Sequence, residues 1–199
     1  MRPHYIAITA SCFSALAKLK HFKDCIPSDP RLLLVKSLVF PRLEYCEALL
    51  YGLSAEMTTK LGQCKNAALR FVENMHKSEH IPPVYRKHDI RSFCSRVLYC
   101  MLSSFACVLK AGVPTYLANR FAFKTTLSDS VCSRRSNINE LFIPKASLDM
   151  FKTLFIVAAD RKWNRLPVGL RMSFSELSFK QKLWTLLSHA IAGYTTLGL

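Results

Sequence analysis

SAEMTTKLGQCKNAALRFVENM, residues 54–75, decides the fold. Met57, Leu61, Cys64, Ala68, Phe71 and Met75 recur at alternating spacings of four and three, the period of a helix that buries one side. Ser54 stands where a capping side chain belongs, ready to accept a hydrogen bond from an amide of the first turn. Lys60, Lys65, Arg70 and Lys77 flank this stripe or lie opposite it, and so are expected on the exposed face.

Working towards the start of the chain, Ser28-Asp29-Pro30 is a helix-start signal. The helix it opens is expected to run to about Tyr51, with Pro41 forcing a kink or break. Before it, Tyr5 to Ala17 is apolar and small. It reads as an amphipathic helix with Ile6, Phe13, Leu16 and Leu19 on or near one side. The alternative is a secretory leader, with Ala15-Leu16-Ala17 as its cleavage site.

Towards the end of the chain, Pro82-Pro83 is expected to stop regular structure and to mark a boundary between residues 1–80 and 81–199. A strongly apolar helix then spans Ile90 to Lys110, with Phe93, Val97, Met101, Phe105 and Val108 on its main face. Gly112 and Pro114 end it. From Lys124 to Asn139 the chain is polar, an exposed loop carrying Arg134-Arg135. Leu141 to Ile143 is at most a short strand. Two further helices follow, from about Ser147 to Asn164 and from about Phe174 to Ile191. The last has Leu177, Trp184, Leu187 and Ile191 on one side and Lys180 and Lys182 off it. The expected fold class is all-α.

Charge narrows the choice of partner. Twenty-eight Lys and Arg against 13 acids give a net charge of +15. The excess is shared by both halves, at 15 against 8 up to Cys100 and 13 against 5 beyond it. Such a field attracts polyanions, nucleic acid ahead of an acidic membrane. No GxGxxG or GxxxxGK[ST] phosphate loop occurs. The eight cysteines form no CxxC pair, and several fall on apolar helical faces, Cys64 and Cys107 among them. Packed, reduced thiols suit a nuclear or cytoplasmic protein. Cys64, His76 and His80 have half the spacing of a zinc finger, but Leu61 and Gly62 stand where a second cysteine is needed a few residues before Cys64, so no metal and no other cofactor is expected.

Six stretches, in order, carry a family resemblance. CIPSDPRLLLVKSLVFPRLEYCEALLYGLS resembles the thumb of reverse transcriptases of non-LTR, jockey-like retrotransposons through Ser37, Leu38, Val39, Pro41, Leu43, Tyr45, Cys46 and Gly52. LGQCKNAALRFV is similar to the next helix of these proteins through Leu61, Gln63, Asn66, Ala67, Leu69 and Arg70. GVPTYLANRFAF, the Arg134-Arg135 loop, AADRKWNRLPVGLR and the helix around Phe179, Lys180 and Leu183 continue the match. Tyr51 stands where the family has tryptophan, and His88-Asp89 replaces its Glu-Leu pair.

The resemblance implies a thumb-like helical bundle over 1–80 and a helical post-thumb region over 81–199. The family's palm, with paired aspartates that hold two Mg²⁺ ions, lies upstream of the thumb. Here Asp24, Asp29, Asp89, Asp129, Asp149 and Asp160 stand singly. Two-metal phosphoryl transfer needs carboxylates converging on a metal pair, so the expectation is polymerase ancestry without polymerase activity. Partners implied are RNA or an RNA–DNA hybrid, and a polymerase portion where one is supplied separately; no membrane is implied.

The residues expected to touch nucleic acid are Lys60, Lys65 and Arg70 on the thumb helix, Arg134 and Arg135 in the polar loop, and Arg161, Lys162 and Arg165 around Trp163. Guanidinium and ammonium groups on such faces meet phosphates, giving little sequence preference. Each could equally be a solvated basic face. Tyr45, Trp163 and Trp184 could stack on bases, although core packing suits both tryptophans better. Cys–His catalysis has no glycine-flanked nucleophile turn behind it. Other readings are a decayed retroelement reading frame, and a helical protein-interaction domain using the exposed part of the Ile90–Lys110 helix.

Overall fold

A computed structural model describes residues 2–124, 139–145, 148, 155–174 and 177–189. The fold is all-α. The chain divides into two compact units, Met1–Glu47 with Leu53–Arg96, and Ala48–Gly52 with Val97–Leu199.

In the first unit, helix α1 (Arg2–Lys20) packs on α3 (Phe40–Glu44) and α4 (Ala55–Glu73), and α2 (Ser28–Leu38) packs on α3 and α4. α1 buries Tyr5, Ile8, Cys12, Ala15, Leu16 and Leu19, whereas Ile6 and Phe13 are exposed. Of the expected face, Leu16 and Leu19 are buried, while Ile6 and Phe13 lie one position off it. Ile6 and Phe13 each follow a buried residue by one step, about 100° round the helix. Burial pushes the Cys12 thiol up to about 11 and that of Cys64 up to about 12, so both are un-ionised packing groups.

The break near Pro41 is present: α2 ends at Leu38, and α3 carries Pro41 in its first turn, where a missing amide hydrogen costs nothing. Helix does not continue to Tyr51. Cys46 takes a left-handed backbone (φ 56°), a short 3-10 turn covers Glu47–Leu50, and Gly52 turns the chain at φ 89°, a conformation suited to glycine.

α4 begins as its sequence requires, with the Ser54 hydroxyl accepting from the Met57 amide at 3.4 Å, and ends on left-handed Asn74. Its inward stripe of Leu61, Cys64, Ala68 and Phe71 is buried. Arg31 caps the far end, donating to the carbonyls of Phe71 and Val72 at 3.4 and 3.3 Å. Pro82-Pro83 opens a helix instead of ending regular structure: α5 (Pro82–Lys87) starts on the pair. The Tyr85 hydroxyl donates to Asn66 Oδ1 at 2.6 Å, and Lys87 and His88 both reach Glu73 at 2.8 and 2.6 Å. These ties keep α5 with α4, which is why the first unit extends past residue 80.

Helix α6 (Phe93–Ala111) contributes Leu98, Met101, Leu102, Phe105 and Ala106 to the core of the second unit. It is long and apolar enough to cross a bilayer by composition, yet its main face is buried in protein, as in a core helix. Gly112 ends it at φ 65°, and α7 (Thr115–Ala118) follows. The short strand expected at Leu141–Ile143 is an isolated antiparallel bridge between Phe123 and Leu141.

The remaining helices are α8 (Phe155–Asn164), α9 (Val168–Met172) and α10 (Phe179–His189). Most of residues 147–154, where the sequence starts a helix, lie outside the described residues, as does Ile191. α10 buries Phe179, Leu183 and Leu187, while Leu177, expected on that side, is 94% exposed ahead of the helix.

The WNRLP stretch fastens this unit together. Trp163 is fully buried, with Phe105, Phe174 and Phe179 at 5.5, 5.9 and 6.0 Å, and its indole donates to the Asn139 carbonyl at 3.0 Å. Asn164 clamps the Leu141 backbone from both sides, accepting from its amide at 2.9 Å and donating to its carbonyl at 2.8 Å. Arg171 is buried and donates to the Leu166 carbonyl at 3.2 Å. Replacing Asn164 with leucine strands two backbone groups, and is expected to cost about 1–3 kcal/mol, read as a lower denaturation midpoint. An unchanged midpoint would refute the clamp.

Candidate nucleic-acid interface

The eight basic residues singled out in the sequence meet different fates. Lys60 is exposed on α4, its ammonium 2.7 Å from Glu56 one turn earlier. That hydrogen bond raises the Lys60 pKa. Arg70 is half-buried and donates to the Glu79 carbonyl at 3.3 Å. Arg134 and Arg135 lie outside the described residues.

Lys65 is a correction. It is 1% exposed, so it cannot lie on an open phosphate-binding face. Its ammonium sits 3.4 Å from Glu44 and 5.1 Å from the centre of the Phe40 ring. Arg96 completes the network, reaching Glu44 at 2.9 Å and Glu47 at 3.0 Å. Burial lowers the Lys65 pKa, opposed chiefly by Glu44 and Glu47. The α4 stripe is wider than the apolar residues alone indicate, because α3 brings a carboxylate and an aromatic ring to meet this cation.

Arg161, Lys162 and Arg165 come together. The first two are half-buried on the last turns of α8, and Arg165 is exposed just beyond its end. Among the described residues none of the three has a carboxylate partner. Burial lowers the Lys162 pKa, and repulsion from Arg165 lowers it further. Tyr51 belongs to the same cluster. It packs on the core of this unit, burial raises its hydroxyl pKa, and Arg165 and Arg161 pull the other way. Arg165 is the shared neighbour of Lys162 and Tyr51, so an anion beside it would relieve its repulsion of Lys162.

Tyr51 was missed in the sequence because it lies more than a hundred residues from the basic trio; its place beside Gly52 was the one available signal. Of the proposed stacking aromatics, Trp163 is core, Tyr45 is exposed, and Trp184 is half-buried with Tyr99 edge-on at 5.0 Å. Cys107 is exposed, although it sits in an apolar run. Cys64 is buried while His76 and His80 are exposed, and among the described residues no three His, Cys, Asp or Glu side chains form a metal set.

No protein-family model matches the chain, and comparison with curated proteins and with solved structures finds no match.

Proposed function

We propose that this chain is a non-catalytic nucleic-acid-binding protein of retrotransposon polymerase ancestry, gripping RNA or an RNA–DNA duplex through basic side chains. The observation that carries the reading is the cluster of Arg161, Lys162 and Arg165 beside Tyr51, three cations without an acidic partner among the described residues on a chain of net charge +15. The reading moves the centre of the grip away from α4, where Lys65 is interior and Lys60 is held by Glu56. Phosphates are the contacted groups, so affinity depends on salt and little on sequence.

The test is a salt titration with an RNA–DNA hybrid. Each phosphate neutralised contributes about 0.7–0.9 to the slope of log K against log salt. Replacing Arg161, Lys162 and Arg165 together by alanine is expected to flatten that slope by about 2 to 3. Replacing Lys60 alone should change it by less than about 1. A triple variant that is folded and keeps the parental slope overturns the reading. No primer extension with Mg²⁺ or Mn²⁺ is expected, since this reading assigns no metal-binding carboxylate pair.

A further inference from the structure

Helix α1 is apolar on two sides, and the rest of the first unit covers one of them. On the side away from buried Ile8, Cys12 and Leu19, Ile6, Ala10, Phe13 and Ala17 are all exposed, Ile6 at 58% and Phe13 at 48%. Their spacings of four, three and four place them within about 60° of arc, in a line about 16 Å long that follows the helix axis. Thr9 borders the line, and its hydroxyl is already bonded to the carbonyls of Tyr5 and Ile6 at 3.1 and 2.9 Å. Cations frame the line: exposed Lys20 beside one edge and exposed Lys18 beyond the other. Arg42 of α3 is held on the Lys18 flank, donating to the Ser11 carbonyl and hydroxyl at 2.8 and 3.0 Å. No acidic residue occurs before Asp24, which follows the helix in the 3-10 turn Lys23–Cys25. Glu56 of α4, near Tyr5, is answered by Lys60 at 2.7 Å.

We propose that this outward face of α1 docks on an anionic lipid surface, with the helix lying flat in the interface. Ile6 and Phe13 enter the boundary between headgroups and acyl chains, while Lys18, Lys20 and Arg42 stay at headgroup level and meet lipid phosphates. A straight apolar line on a convex helix needs no matching groove, only a plane that admits two side chains. Charge favours lipid over a second copy of the chain: α1 brings no acid to a self-paired interface, so two copies would set like charges together. Two apolar anchors give shallow, reversible attachment that depends on acidic lipid. The inference concerns the first unit and does not rest on the nucleic-acid reading, whose central cations belong to the second.

The test sediments the full-length chain with vesicles of phosphatidylcholine, alone or with about 30% phosphatidylglycerol. The parent is expected to bind the acidic vesicles and to leave the neutral ones. A chain of charge +15 is drawn to any anionic surface, so variants of the apolar line decide where it docks. The double variant Ile6→Ser, Phe13→Ser changes exposed side chains and is expected to bind acidic vesicles about tenfold more weakly. Phe13→Trp is expected to lose fluorescence to lipids brominated on the upper acyl chain, beyond any loss shown by the parent. A double variant that is folded by circular dichroism and binds as the parent does overturns the proposal, because charge alone would then account for docking. So does a parent that ignores acidic vesicles. A parental dimer in the absence of lipid that the double variant loses gives the face to a second copy, and overturns it too. Should the double variant not fold, the Phe13→Trp measurement decides: no added quenching means that the side chain does not enter the bilayer, and the proposal fails.

Discussion

Raising the pH from about 4 to about 7 is expected to weaken the second unit by several kcal/mol through one side chain, Asp160. This carboxyl lies on the buried side of α8, 1% exposed, and neither of its oxygens has a hydrogen-bond partner among the described residues. Burial alone pushes its pKa up from 3.8 to about 7. In the unfolded chain the group ionises near its ordinary value; in the folded unit it holds its proton until near neutrality. Across that window the unfolded state binds fewer protons, so stability falls as pH rises, by about 1.4 kcal/mol per unit. Above about pH 7 both states are ionised and the loss levels off. Asp160→Asn removes the ionisation and is expected to flatten this part of the profile, becoming more stable than the parent above neutrality. The measurement is a denaturation midpoint across pH 4 to 8 for both proteins. Parallel profiles would show that the carboxylate finds a partner when charged.

Lys65→Ala is expected to unfold the first unit or to destabilise it by about 3–5 kcal/mol, because it leaves a carboxylate network short of a buried cation. Lys65 is sealed between Glu44 and the Phe40 ring, and Arg96 is already shared by Glu44 and Glu47. The companion substitution Lys60→Ala removes an exposed pair with Glu56 and is expected to change stability by less than about 1 kcal/mol. Thermal or chemical denaturation of both variants checks this. A Lys65→Ala protein as stable as the parent would mean that the network contributes nothing. The contrast matters for binding work: loss of nucleic-acid affinity in Lys65→Ala would report unfolding, not a missing phosphate contact.

Local chemistry settled much of this protein in advance. The 3.6-residue period, the Ser54 cap and the proline near the α2–α3 break are dictated within a few residues of chain, and each is found where the sequence places it. The basic trio was legible for the same reason: residues 161, 162 and 165 fall within about one helical turn. Other features depended on partners distant in sequence. Whether Lys65 faces water or protein turned on α3 delivering Glu44 and Phe40 to α4, and helical period alone cannot tell a flanking position from a buried one. Pro82-Pro83 had two outcomes available, stop or start, and the Tyr85–Asn66 hydrogen bond accompanied the second. Tyr51 joins Arg161 and Arg165, and Tyr99 joins Trp184, only because the second unit folds them together. The sequence by itself determined the helices, their caps and the excess of positive charge. The tertiary structure decided which cations remain free to meet an anion, because burial and pairing are properties of the assembled surface and not of any one segment.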